Sequence, residues 1–284
     1  MDYVKPTDMA ATMSDSGVLR AQLSIKDMVV RGMVAGALLG IATSLAVTAT
    51  VQTGVPFVGA VVFPVGFVMI VCLGLELCTG NFGILMLSFM EGRIGLGPMM
   101  RNFAWGFIGN LIGSVLYALL LVIALTNAWH LPVAGVAQKL VDIAQAKTLA
   151  YEAIGSAGLL TCFVKAMLCN WMVCLGVTMS MMSTSTFGKM FGAWLPIFLF
   201  FAQGFEHAVV NMFVIPAGMM LGAPIHFSQW WLWNQIPVTL GNFAGGVLFI
   251  SLAWYLTYRP KAADAAAEPT RAEARPQGRA AIAR

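Results

Sequence analysis

Apolar positions in this chain come in long runs separated by short polar stretches. Gly32–Leu75, Asn102–Gln138 and Ala208–Tyr258 contain no Asp, Glu, Lys or Arg. A helix needs about 20 apolar residues to cross bilayer hydrocarbon. The runs predict six spans, at about 29–51, 56–90, 100–126, 155–183, 190–221 and 231–258. They do not show the alternating ten-residue pattern of a membrane barrel.

Two of these spans are too long for straight crossings. As single helices, Pro56–Met90 and Met190–Leu221 would run to about 50 Å, against a hydrocarbon core of about 30 Å. Each also carries a glutamate near its middle, two residues after a glycine: Gly74 and Glu76, Gly204 and Glu206. A charged residue at that depth costs about 2.5–3.5 kcal/mol on insertion scales. The pattern predicts that helices two and five are broken at mid-membrane. Backbone freed there must be buried in protein or line a cavity. Such breaks mark substrate sites in transport proteins.

The two long spans also match each other. GLELCTGN at 74–81 and GFEHAVVN at 204–211 share the pattern G-x-E-x-x-x-x-N, ending on Asn81 and Asn211. The following spans match at nearly the same spacing, with GNLIGSVLYALL from Gly109 and GNFAGGVLFISL from Gly241. Three spans per repeat place the halves in opposite orientations, an inverted 3+3 repeat. The glycines of GN-x-x-G let helices approach closely.

Composition narrows the class. The chain is 59% apolar and 10% charged, against about 25% charged in a soluble domain. It therefore reads as an all-α membrane protein. With six crossings both termini share one side. That side holds Lys5, Arg20, Lys26, Arg31, Arg93, Arg101, Lys189 and the Arg-rich tail, and the other holds Lys139 and Lys147. Both termini are thus expected in the cytoplasm, with the chain in the inner (cytoplasmic) membrane. The net charge of +4 is a topology signal and does not point to nucleic acid.

Three regions follow: a cytoplasmic N-terminal segment (1–27), a transmembrane channel domain (28–258) and a disordered cytoplasmic tail (259–284). The first region has Asp2, Asp8, Asp15 and Asp27, unlike a secretory signal. Within it, SDSGVLRAQLSIKDM reads as an interfacial helix capped near Ser14 or Ser16, or as a polar lead-in to the first span. Cys72, Cys78, Cys162, Cys169 and Cys174 lack zinc-type spacing and read as small buried hydrophobes. The nineteen methionines read as filler. His130, His226 and the Trp230, Trp231, Trp233 group read as interfacial. No metal site and no cofactor are expected.

The candidate chemistry sits at the two breaks. The first supplies Thr79, whose hydroxyl donates or accepts. The second supplies His207, which is expected to be mostly neutral in an apolar pore because desolvation disfavours imidazolium. It would pass a hydrogen bond, or a proton, to an anion. Glu76 and Glu206 invite a catalytic reading as paired carboxylates. Their symmetric placement favours a structural one, in which each accepts backbone N–H groups freed by the break. Lys165 either snorkels to the headgroups or lines a vestibule that attracts anions. Asn170 reads as a hydrogen-bond donor between helices or toward a pore. A membrane-embedded enzyme lacks an HExxH motif or Cys/His metal spacing here. A water or glycerol channel would carry Asn-Pro-Ala at its breaks, and this chain does not.

The segments LELCTGN, KAMLCNWMVCLGV, GFEHAVVNMFVIPAGM and IPVTLGNFAGGVLF resemble the signature segments of the formate/nitrite transporter family. The resemblance covers roughly residues 25–258. It implies an aquaporin-like six-helix protomer, a homopentamer with a pore through each protomer, and small monovalent anions as substrates. These include formate, nitrite, hydrosulfide and lactate, moved with protons in some members; lipid is the other partner. By the same resemblance, the central histidine falls on His207, the loop threonine on Thr79, the preceding glutamate on Glu206 and the fourth-helix asparagine on Asn170. Apolar constrictions fall on Phe63, Phe67, Leu77 and Phe200. Phe67 stands where formate members often carry an aliphatic residue, which implies a tighter neck. The vestibule lysine falls on Lys147 or Lys165, because extra residues, AIGSAGL, open the fourth span.

Overall fold

The computed structural model describes residues 2–258, so the expected tail at 259–284 lies outside the described residues. Helices form almost all of what is described. In chain order they are α1 (Pro6–Ala21), α2 (Ile25–Thr53), α3 (Pro56–Val62), α4 (Val65–Cys72), α5 (Cys78–Met90) and α6 (Leu96–Thr126). Then follow α7 (Val136–Ala146), α8 (Leu149–Ala153), α9 (Gly155–Met181), α10 (Thr186–Ala202), α11 (Ala208–Met220) and α12 (Phe227–Tyr258). The last contains π-helical turns at Trp231–Gln235 and Val247–Ser251. Among the described residues four helices, α2, α6, α9 and α12, are long and apolar enough to cross a membrane. The shorter apolar helices lie between them in sequence.

Local chemistry sets the ends. Ser24 caps α2 by accepting the Asp27 N–H, and Gly54 closes it in the left-handed region. Pro56 opens α3 with its φ already helical. The stops of α4 and α10 are built alike. Gly74 (φ 63°) and Gly204 (φ 66°) take the left-handed conformation just past each end. Leu75 N–H then returns to the Ile70 carbonyl at 3.0 Å, and Phe205 N–H to the Phe200 carbonyl at 3.2 Å. This is a Schellman closure, which a residue with a Cβ adopts only under strain. Three residues later α5 and α11 begin.

The long helices pair through small residues. α2 packs along α6 and α9 along α12. A Cβ on Gly109 would lie 2.7 Å from the Val29 carbonyl oxygen, and one on Gly245 would strike the Met167 carbonyl. Close approach there requires glycine.

Two regions differ from expectation. Helix α1 begins at Pro6, well before Ser14 and Ser16, because proline suits the first helical turn. It is docked: Met9, Met13, Ser14 and Gly17 are buried, and Ser88 donates to the Ser14 carbonyl at 2.8 Å. Residues before it strap across the chain, with Val4 N–H on the Met182 carbonyl and Thr184 N–H on the Asp2 carbonyl, both at 2.9 Å. Helices α7 and α8 fill a stretch that the apolar runs left as connection. α7 buries Leu140, Val141 and Ala144 against α11, much as α1 lies on α5.

Candidate functional site

The same small set of side chains closes the gap before α5 and the gap before α11. Asn110 of α6 accepts the Cys78 N–H at 2.9 Å and donates to the carbonyls of Gly32 (2.9 Å) and Glu76 (2.8 Å). Asn242 of α12 accepts the Ala208 N–H at 2.8 Å and donates to the carbonyls of Ala166 (2.8 Å) and Glu206 (3.0 Å). One amide thus supplies an acceptor and donors to backbone that the missing helical turn leaves open.

Both carboxylates are buried within these clusters. Glu76 accepts from Nδ2 of Asn81 (2.8 Å) and of Asn102 (3.1 Å), and pairs with the Arg20 guanidinium. Glu206 accepts from Nδ2 of Asn211 at 2.8 Å, the Tyr151 hydroxyl at 2.8 Å and Lys147 Nζ at 2.8 Å. Asn102 also donates to the Arg20 carbonyl, and Asn234 to the Lys147 carbonyl. The expectation that the glutamates accept freed backbone N–H groups is therefore corrected: Asn110 and Asn242 meet the backbone. Side-chain amides and one cation each meet the carboxylates, as a buried charge requires.

Between the clusters, Thr79 Oγ1 lies 3.1 Å from His207 Nε2, and both residues are buried. His207 is also the N-cap of α11: its Nδ1 accepts the Val210 N–H at 3.2 Å. A ring nitrogen that accepts carries no proton, so the neutral imidazole holds its proton on Nε2 and donates it to Thr79. The hydroxyl proton of Thr79 is then available for a third group. Phe200 stacks on the imidazole at 5.8 Å between centroids, and Phe63 meets Phe200 edge-on at 5.8 Å. Asn170 donates to the Thr79 carbonyl at 3.0 Å and the Asn242 carbonyl at 2.6 Å.

Phe67 and Leu77 lie on the wall of a cavity of about 480 Å³, which Arg20, Asn81 and Lys189 also line. Lys147 is committed to Glu206. Lys165 makes no ion pair among the described residues, and its ammonium lies 5.9 Å from the centre of the Tyr151 ring. Four of the cysteines are buried as expected, whereas Cys72 is exposed.

Sequence reasoning missed Arg20, Asn102, Asn110, Tyr151, Asn234 and Asn242 as members of these clusters. A signal existed for some. Asn110 and Asn242 are the asparagines of the repeated GN pair. Arg20 precedes Glu76 by 56 residues, and Lys147 precedes Glu206 by 59. Tyr151 has no counterpart among the contacts of Glu76 and left no such trace.

Comparison with known proteins matches this arrangement over nearly the whole chain. The family model described as formate/nitrite transporter matches residues 7–256. A "probable formate transporter" of Methanothermobacter thermautotrophicus is 34% identical, over 90% of this chain and 97% of the relative. The "formate channel FocA" of Escherichia coli strain K12 is 30% identical, over 90% of this chain and 95% of the relative. Among solved structures, an "FNT family ion channel" superposes with a TM-score of 0.77 at 30% identity, covering 88% of this chain and 99% of that one. A "pentameric formate channel with formate bound" gives a TM-score of 0.67 at 25% identity, covering 82% and 97%. The chain is a membrane protein and belongs to the formate/nitrite transporter family.

Proposed function

We propose that the chain carries small monovalent anions, formate first, across the inner membrane through a pore in each protomer of a homopentamer. The protomer is read as six aquaporin-like crossings in two inverted halves, with both termini in the cytoplasm. Helices α3–α5 make the second crossing and α10–α11 the fifth, and their interruptions meet at mid-membrane. Matching contacts of Asn110 with Asn242, and of Glu76 with Glu206, support that pairing. Formate is favoured because the relatives described above are named as formate transporters or channels. Nitrite, another small bent monoanion, is the alternative.

The observation that carries the reading is the Thr79–His207 contact at 3.1 Å between the two interruptions. An anion reaching it finds the Thr79 hydroxyl proton, polarised by the imidazole N–H behind it. Apolar side chains surround the route: Phe200 stacks on the imidazole with Phe63 edge-on to it, and Phe67 and Leu77 line the neighbouring cavity. A bare anion pays heavily to enter such surroundings. Taking up a proton removes most of that cost, so transport is read as proton-linked. Because Nδ1 is held as the acceptor of the Val210 N–H, the favoured proton source is water in the vestibule. In this scheme His207 and Thr79 guide the acid by hydrogen bonds. A free cation at Lys165 would gather anions in that vestibule. The cost of burying Glu76 and Glu206 is offset by their cations and amides, which leaves them a structural role.

The test is purified protein in liposomes, assayed with labelled formate, nitrite and lactate from about pH 8 to pH 5. Above the acid's pKa its neutral fraction rises about tenfold for each unit by which the pH falls, so formate uptake should climb steeply as pH falls. Uptake that is flat across that range would remove the proton linkage. Uptake no faster than in empty liposomes would remove the transport reading itself.

A further inference from the structure

Several glycines inside the helices answer to a neighbouring backbone. A Cβ on Gly113 would lie 1.9 Å from the Met33 carbonyl oxygen, and one on Gly192 would lie 2.6 Å from that of Met179. Gly176 of α9 is different. It is buried, and its φ is not in the left-handed region. Its backbone would therefore accept alanine, which a helix interior favours over glycine. The nearest atom to a Cβ there would be the ring carbon Cε1 of Phe67, at 3.2 Å. The Ala193 carbonyl oxygen follows at 3.3 Å and Ile197 Cδ1 at 3.4 Å. Of these three residues only Phe67 lines the cavity of about 480 Å³. Ala193 and Ile197 are buried in α10. A methyl group at 176 crowds the ring and the carbonyl. The carbonyl is fixed in a helix, so the ring is the group with open space to move into.

We propose that Gly176 is a positioning residue that sets the width of the route at Phe67 and Leu77. Having no side chain, it seats the edge of the Phe67 ring against α9 and keeps the ring out of the passage. The inference rests on the transport reading above and adds a residue that limits solute size. Phe67 lies in α4, before the first interruption, and Leu77 is the N-cap of α5, after it. A shift of the ring therefore changes the clearance between the two. Protein interiors are close-packed, so even a small shift is passed on and not absorbed. One methylene of room in an apolar site is worth about 10- to 200-fold in discrimination. Alanine at 176 would displace its neighbour by a few tenths of an ångström. That is a fraction of a methylene, worth about two- to fivefold for formate. Acetate, broader by a methyl group, loses more.

The experiment measures initial uptake of labelled formate and labelled acetate into liposomes, corrected for empty liposomes. It compares the wild type, Gly176→Ala, Phe67→Leu and the double variant Gly176→Ala/Phe67→Leu, each purified and monodisperse. Leucine lacks the ring edge that meets position 176. Gly176→Ala should lower formate uptake about two- to fivefold, and acetate uptake further. In the Phe67→Leu background the same alanine should cost nothing. Phe67→Leu alone should raise acetate uptake relative to formate by about tenfold. An equal loss from alanine in both backgrounds would overturn the proposal, because it marks general damage to the contact between α9 and α10. So would an alanine without effect on the wild type, or a Phe67→Leu variant whose acetate-to-formate ratio is unchanged. If Gly176→Ala yields no folded protein, Phe67→Leu and the double variant decide: the two should fold alike and share one raised ratio, and a double variant that is also lost overturns the seat. If the wild type takes up no more formate than empty liposomes, the transport reading falls and this inference with it. If it does and alanine acts equally in both backgrounds, only the role of Gly176 falls.

Discussion

Lys147→Met tests how the second interruption is held. In the wild type, Lys147 Nζ lies 2.8 Å from Glu206, whose side chain is 3% exposed while that of the lysine is 17% exposed. Methionine keeps the length of the side chain and removes the charge. Glu206 keeps Asn211 and Tyr151 as donors, yet its charge then has no counter-ion. Removing one partner of a buried pair costs about 3–5 kcal/mol, mostly from the charge left behind. The two retained hydrogen bonds place this site at the lower end, about 3 kcal/mol. For a chain of this size, 1 kcal/mol moves the melting temperature by about 2–4 °C, so a drop of about 6–12 °C is expected. The assay is thermal unfolding of detergent-purified protein, followed by the fraction that stays monodisperse. The double variant Lys147→Met/Glu206→Gln removes the orphaned charge and should recover more than half of the loss. If Lys147→Met melts with the wild type, or the double variant is worse than Lys147→Met alone, the pair does not hold the loop as described.

Other substitutions test the neighbouring contacts. His207→Asn keeps an oxygen able to accept the Val210 N–H but cannot span to Thr79 as the ring does. It should stay within about 1 kcal/mol of wild-type stability while losing most formate flux, whereas His207→Ala should lose both. Flux near wild type in the Asn variant would contradict the role given to Nε2. Gly245→Val pushes a branched side chain against the Met167 carbonyl and should separate α9 from α12, lowering the yield of folded protein. The same change at the exposed Gly97, where a Cβ meets nothing within 4 Å, should be tolerated.

Much of the architecture was legible because membrane hydrocarbon imposes a simple code. Uncharged runs predicted a helical membrane protein, and the formate/nitrite transporter family followed from segments such as GFEHAVVN. The clusters around Glu76 and Glu206 were legible only in part. Glu206 and Asn211 stand within one octapeptide, so their contact is nearly local. Arg20 reaches Glu76 over a sequence separation of 56, and a lone arginine near a terminus reads as a topology charge. Its partner becomes visible only once α1 folds back onto α5. Helices α7 and α8 were missed for a related reason. The apolar face of α7 is narrow and suits packing on α11, and the short α8 lies against α9, so a search for membrane spans passes over both. The glutamates were read as caps for backbone because a charge beside a broken helix suggests one. The asparagines of the repeated GN pair supply donor and acceptor together, which a carboxylate does not.

The most direct test compares purified wild type with Thr79→Val, side by side in liposomes, for labelled formate uptake at about pH 5.5. Valine keeps the shape of threonine and removes the hydroxyl that His207 polarises. If anions pass between the two interruptions, wild type should conduct and Thr79→Val should fall by at least about tenfold, the worth of one buried hydrogen bond to the passing anion or acid. Thr79→Val conducting like the wild type, with both proteins folded, would contradict the account at its centre.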